Sequence, residues 1–217
     1  MINALRRLAP AVLLFCSGAA FAAEKTIYGE DDRREYYEAA PEWRKLADST
    51  VALFDSDRVS FYGVLSLNGY GEFENLCRTE RFYDQPKGPF CSGALVAPDL
   101  VLTAGHCVMD AAACAHTKLV FGYAFKYRGV TPSRVMPWDV YGCAAIKARV
   151  YSHEGVDYAL LRLNRPVYGR APLRLDRGAG AAAGDKVVSI GYPRGLPLKV
   201  IGGAAVRDAS DRDVFVT

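Results

Sequence analysis

The chain has 217 residues, 51% of them hydrophobic and 24% charged, with 13 tyrosines, 10 phenylalanines and 2 tryptophans. This balance excludes a disordered or collagen-like polymer and leaves enough apolar side chains for a sizeable core. Twenty-seven basic against 24 acidic residues leave a net charge of +3, too small to mark a nucleic-acid binder, and no apolar run is long enough to span a bilayer.

Residues 1–22 have the three-part layout of a secretory signal. Arg6 and Arg7 precede an apolar stretch from Leu8 to Phe15, and Ala20-Phe21-Ala22 offers a small-x-small cleavage site. Export makes the cysteines disulfide candidates. Cys16 leaves with the signal, and Cys77, Cys91, Cys107, Cys114 and Cys143 remain. Five is odd, so one thiol is free or pairs outside this sequence. A zinc site combining these with His106 or His116 is disfavoured: there is no Cys-x-x-Cys pair, and an oxidising compartment opposes metal thiolates. No cofactor and no metal ion are expected.

Residues 23–50 read as a charged strap or pro-segment, with 13 charged side chains between Glu24 and Thr50. Pro41 suits the first position of a short helix running to Ala47. From Val51 onward the chain reads as short β-strands bounded by Gly, Pro, Asn and Asp. Predicted strands are 60–67, 92–96, 100–103, 118–125, 143–151, 157–163, 186–192, 197–206 and 213–217. The Ala/Gly stretch from Gly178 to Gly184 suits a connection between two halves. The expected class is all-β, a sandwich or a barrel.

Chemistry concentrates in two segments. In the first, Ser92 to Val96 and Leu100 to Thr103 form two apolar arms around an Ala97-Pro98-Asp99 turn. Cys91 opens this hairpin and Cys107 follows it, so the arms bring the two cysteines near each other, as a disulfide requires. His106 immediately precedes the second cysteine, so a bridge there fixes the backbone that carries an imidazole suited to proton exchange near neutrality. The second segment is Asp157-Tyr158-Ala159-Leu160-Leu161-Arg162-Leu163, where a carboxylate opens an apolar strand. Aspartates commonly cap turns, so this signal gains weight only beside the first.

Together the segments resemble the trypsin-like serine proteases, and within them the bacterial glutamyl-endopeptidase-like (V8-like) branch. Leu102-Thr103-Ala104-Gly105-His106-Cys107 is similar to that family's catalytic-histidine motif, with Gly105 where alanine is usual. Asp157 to Leu163 is similar to its catalytic-aspartate strand. Ile190-Gly191-Tyr192-Pro193 and Val214-Phe215-Val216-Thr217 are similar to strands of the branch's second barrel, and Ile27 to Arg33 is faintly similar to its N-terminal segment. The resemblance implies two antiparallel β-barrels: the first over residues 51–170, carrying His106 and Asp157, and a partial second over 171–217. It implies His106 as general base, Asp157 as its orienter, and a histidine-loop disulfide between Cys91 and Cys107. A second bridge between Cys114 and Cys143 is expected within the first barrel, which leaves Cys77 without a partner in this chain.

The family's nucleophilic serine stands in a Gly-x-Ser-Gly context, and no serine here has one. Ser92-Gly93 is the nearest imitation, but it lies within the histidine hairpin. The expectation is a fragment whose serine lies beyond Thr217, hydrolytically inactive alone and prone to aggregate through open strand edges. The expected function is a secreted or periplasmic serine endopeptidase acting on protein or peptide substrates. Neither a nucleic-acid partner nor, after signal removal, a membrane is expected. The alternatives are a noncatalytic protease homologue serving as a secreted binding module, and an adhesive or structural β-domain.

Overall fold

The computed structural model describes residues 31–152, 155–178, 180–211 and 215–217. The signal expected at 1–22 lies outside them, as do residues 213 and 214 of the strand expected at 213–217, whose Val216 forms an isolated bridge with Asp208. In chain order the main elements are β1 (Arg33–Glu35), α1 (Pro41–Ala47), β2 (Thr50–Asp55), β3 (Cys91–Ala97) and β4 (Leu100–Thr103). Then come α2 (Ala111–Ala115), β5 (Thr117–Phe121), β6 (Val140–Tyr151), β7 (Asp157–Leu163), β8 (Lys186–Gly191) and β9 (Lys199–Ala205). Among the described residues, no helix is long and apolar enough to cross a membrane. The fold is all-β.

Six strands close into an antiparallel barrel in the order β2–β3–β4–β7–β6–β5, with β5 returning to β2. Alternation sets its interior. Gly93 and Leu95 of β3, Val101 and Thr103 of β4, and Ala159, Leu161 and Leu163 of β7 are buried. Val51, Leu53, Leu119, Phe121 and Tyr141 join this core. The 12-residue β6 carries two register shifts against β7, between Cys143 and Ala145 and between Ile146 and Ala148. Such irregularities bend and twist a strand, which barrel closure needs.

Strand β2 is absent from the sequence prediction, and its burial explains why. Val51 and Leu53 face the barrel core, whereas Ala52 and Phe54 belong to a second apolar cluster with Val120, Tyr123, Tyr192, Leu198 and Val200. Both faces are covered, so no apolar–polar alternation is left to read. Conversely, the strand predicted at 60–67 is not one. Gly63 turns the chain with φ of 74°, and a Cβ there would lie 2.2 Å from the Val135 carbonyl oxygen. Only isolated bridges form, Val59 to Leu65 and Val64 to Arg134. The aromatic content that suggested a strand sits in Phe61 and Tyr62, both exposed.

Every element above lies within one compact unit, Asp32–Thr217. Beside the barrel, β1, β9 and β8 form a three-stranded antiparallel sheet, with Arg34 opposite Val200 and Ile190 opposite Val200 on the other side. Part of the charged strap is therefore built into the fold. Glu35, almost fully buried, binds the buried Lys199 ammonium at 3.0 Å, and Gln85 bridges the two, donating to Glu35 at 2.6 Å and accepting from Lys199 at 2.8 Å. Helix α1 spans the expected Pro41–Ala47. The Tyr192 backbone N–H donates to Ser92 Oγ at 2.8 Å, and its hydroxyl donates to the Thr50 carbonyl at 3.2 Å. These bonds tie the sheet to the barrel wall.

Candidate active site

The pairing of β4 with β7 sets Thr103 opposite Ala159. Continuing past β4 by three residues and back along β7 by two brings His106 to Asp157. The carboxylate receives two hydrogen bonds from this one residue. Asp157 Oδ2 meets His106 Nδ1 at 2.6 Å, and Oδ1 accepts from the His106 backbone N–H at 3.0 Å. A carboxylate at this distance accepts, so the shared proton sits on Nδ1 and Nε2 is left with its lone pair. The imidazole side chain is 55% exposed and the carboxylate 27%, so the ring lies open on the side away from its partner.

Three further contacts hold the peptide that presents the ring. The Cys91–Cys107 disulfide anchors the residue after His106 to the start of β3, with Cα atoms 6.2 Å apart. Arg149, near the end of β6, donates from Nε to the Gly105 carbonyl at 2.7 Å. Gly105 itself is pressed against β6: a Cβ there would stand 2.2 Å from the Val150 carbonyl oxygen and 3.0 Å from Asp157 Oδ1. This close approach explains glycine at a position where the resembling family usually has alanine. Tyr151 completes the surroundings, its ring centroid 6.3 Å from that of His106. Arg149 and Tyr151 escaped the sequence reading, since their role follows from the β6 bend rather than from any local motif.

The hydrogen bond from His106, reinforced by its backbone amide, holds the Asp157 carboxyl below its ordinary range. Asp157 therefore stays ionised across neutral and mildly acidic pH, as a partner for an imidazolium must. Cys91, His106 and Cys107 do place ligand-type atoms within 4.8 Å of one another. Two of the three are sulfurs of one disulfide, which offers no thiolate to a metal. The second disulfide joins Cys114 of α2 to Cys143 of β6, and Cys77 is a free, exposed thiol. Ser92, on β3, is engaged with the Tyr192 amide and makes no hydrogen bond with His106 among the described residues.

A trypsin-like peptidase domain model matches residues 91–215, more than half of the sequence, including both members of the pair. The chain belongs to the trypsin-like peptidase family. No curated protein matches this trypsin-like chain at the level of sequence. Similar solved structures include human heparin binding protein, at 16% identity and a TM-score of 0.50, over 81% of this chain and 65% of that one. The inactivated protease paralogue S-I1 of the scabies mite matches at 21% identity and a TM-score of 0.47, over 76% and 63%. The VesB protease of Vibrio cholerae matches at 19% and 0.45, over 71% and 40%. At these identities the likeness to human heparin binding protein is one of fold. The trypsin-like chain spans less than two thirds of the length of each of the three structures.

Proposed function

We propose that this trypsin-like chain carries the acid–base half of a secreted serine endopeptidase of the bacterial glutamyl-endopeptidase-like branch. The supporting observation is the double anchorage of Asp157 on His106, which fixes the tautomer and turns Nε2 outward. His106 is the general base and Asp157 its orienter and counter-charge. The nucleophile this reading requires is a serine hydroxyl facing Nε2, in a Gly-x-Ser-Gly loop that these 217 residues do not contain and that would also supply the oxyanion amides, each worth on the order of 3 kcal/mol in the transition state. As the serine oxygen bonds to the scissile carbonyl carbon, its proton passes to His106 Nε2. The same proton then passes to the leaving amine as the C–N bond breaks. Two disulfides accord with export to an oxidising compartment.

The test uses the full-length protein and a fluorophosphonate probe. Labelling that disappears in His106→Ala is expected, whereas the 217-residue chain alone should neither label nor hydrolyse peptides. A folded full-length protein that fails to label would replace this reading with a noncatalytic binding module.

A further inference from the structure

A second concave site lies on the first barrel, built from residues that the acid–base pair does not use. A cavity of about 490 Å³ opens between the Phe61–Leu65 turn and the long loop joining β5 to β6. That volume falls in the range of roughly 300–1,000 Å³ that small-molecule sites occupy. Phe121, Ala124 and Val135 are buried residues of its floor, and Tyr62, Val130 and Met136 stand exposed around its lip. The turn and the loop are locked together, so the cavity is preformed. Leu65 N–H donates to the Ser133 carbonyl, Val135 N–H to the Gly63 carbonyl, and Arg134 Nε to the Tyr62 carbonyl. Large apolar side chains grouped at one depression mark an interaction site more often than chance exposure does.

The charge of the lining selects the ligand. Its one acid, Asp139, is engaged at 2.8 Å by Arg170, which packs over the Phe121 ring. Lys126 and Arg134 also line the cavity, and neither forms an ion pair among the described residues. The Lys126 ammonium reaches back over Gly122, within 3.4 Å of the point a Cβ there would occupy, and Arg170 comes within 3.8 Å of the same point. Two cations with no carboxylate partner among the described residues, beside an apolar floor, complement an apolar body that ends in an anion.

We propose that this cavity binds a small apolar carboxylate, its hydrocarbon body on Phe121, Ala124 and Val135 and its carboxylate at Lys126 and Arg134. The test is calorimetric titration of the protein with decanoate and with decylammonium, ligands of matched body and opposite charge. Saturable one-to-one binding of decanoate is expected, with decylammonium weaker by roughly tenfold and the Lys126→Glu/Arg134→Glu double variant reversing that preference. Val130→Asp, at an exposed lip position, should weaken decanoate by a similar factor, while His106→Ala leaves it unchanged. Equal binding of the two ligands, decanoate affinity insensitive to the double variant, or no saturable binding would overturn the proposal.

Discussion

The barrel and the sheet beside it are held together by different physics. Around His106, the barrel relies on apolar interior packing, a closed ring of strands and two disulfides. The β1–β9–β8 sheet is open-edged, and its N-terminal strand of three residues is clasped by a buried charge cluster, Glu35–Lys199–Gln85. A covalently tied barrel keeps His106 and Asp157 in register, since it has few ways to loosen locally. The sheet shares an apolar cluster with β2 through Val200, but its edge strand β1 is clasped by charge, so that edge responds to pH and to single substitutions. The difference teaches where this chain tolerates change.

The largest expected effect falls on the sheet. Glu35→Ala leaves the Lys199 ammonium buried without its counter-charge, a change that costs about 3–5 kcal/mol in buried pairs. Hydrogen exchange in β9 should accelerate strongly while β4 and β7 change little. Equal acceleration in both regions would show that they are one cooperative unit. The clasp also sets a pH dependence. Burial lowers the Lys199 pKa to about 8 from an ordinary 10.5. Below about 8 the ammonium is charged in folded and unfolded chains alike, and the desolvation penalty is full. Between about 8 and 10.5 the folded form sheds its proton first, so this group adds stability as pH rises. Lys199→Met should remove that slope from the pH profile of chemical denaturation.

Next in size is the barrel's own tie. Cys91→Ser with Cys107→Ser opens a loop of 16 residues, for which chain-entropy reasoning gives about 3 kcal/mol. Denaturant midpoints should fall accordingly, and the His106 side-chain resonances should broaden as their backbone is released. A smaller loss, about 1–3 kcal/mol, is expected for Gly105→Ala, because the added methyl meets the Val150 carbonyl. An unchanged melting temperature in that variant would show that the end of β6 yields freely. Smallest of all, Arg149→Gln should cost about 1 kcal/mol. It should also speed exchange of the His106 amide, whose peptide Arg149 holds from the carbonyl side.

The same contrast explains what was legible in the sequence. Strands β3, β4 and β7 are short, mostly apolar runs bounded by turn residues, so the hairpin, both of its cysteines and the strand opened by Asp157 stood out. Strand β1 was hidden because its residues are charged, and partners distant in sequence, Lys199 and Gln85, make burial of Glu35 possible. Strand β2 was hidden for the opposite reason, with both faces apolar. Around the site, His106 and Asp157 announced themselves through local pattern. Arg149 and Tyr151 did not, since a bulged strand decides which of its side chains reach the histidine peptide.

The central claim is that Asp157 holds the His106 ring with its proton on Nδ1 and Nε2 facing outward. Nitrogen-15 NMR of the imidazole, followed with pH in the protein and in its Asp157→Asn variant, tests it most directly. The account predicts a neutral ring protonated at Nδ1, with a strongly deshielded proton that disappears in the variant. A ring protonated at Nε2, or a spectrum indifferent to residue 157, would contradict it.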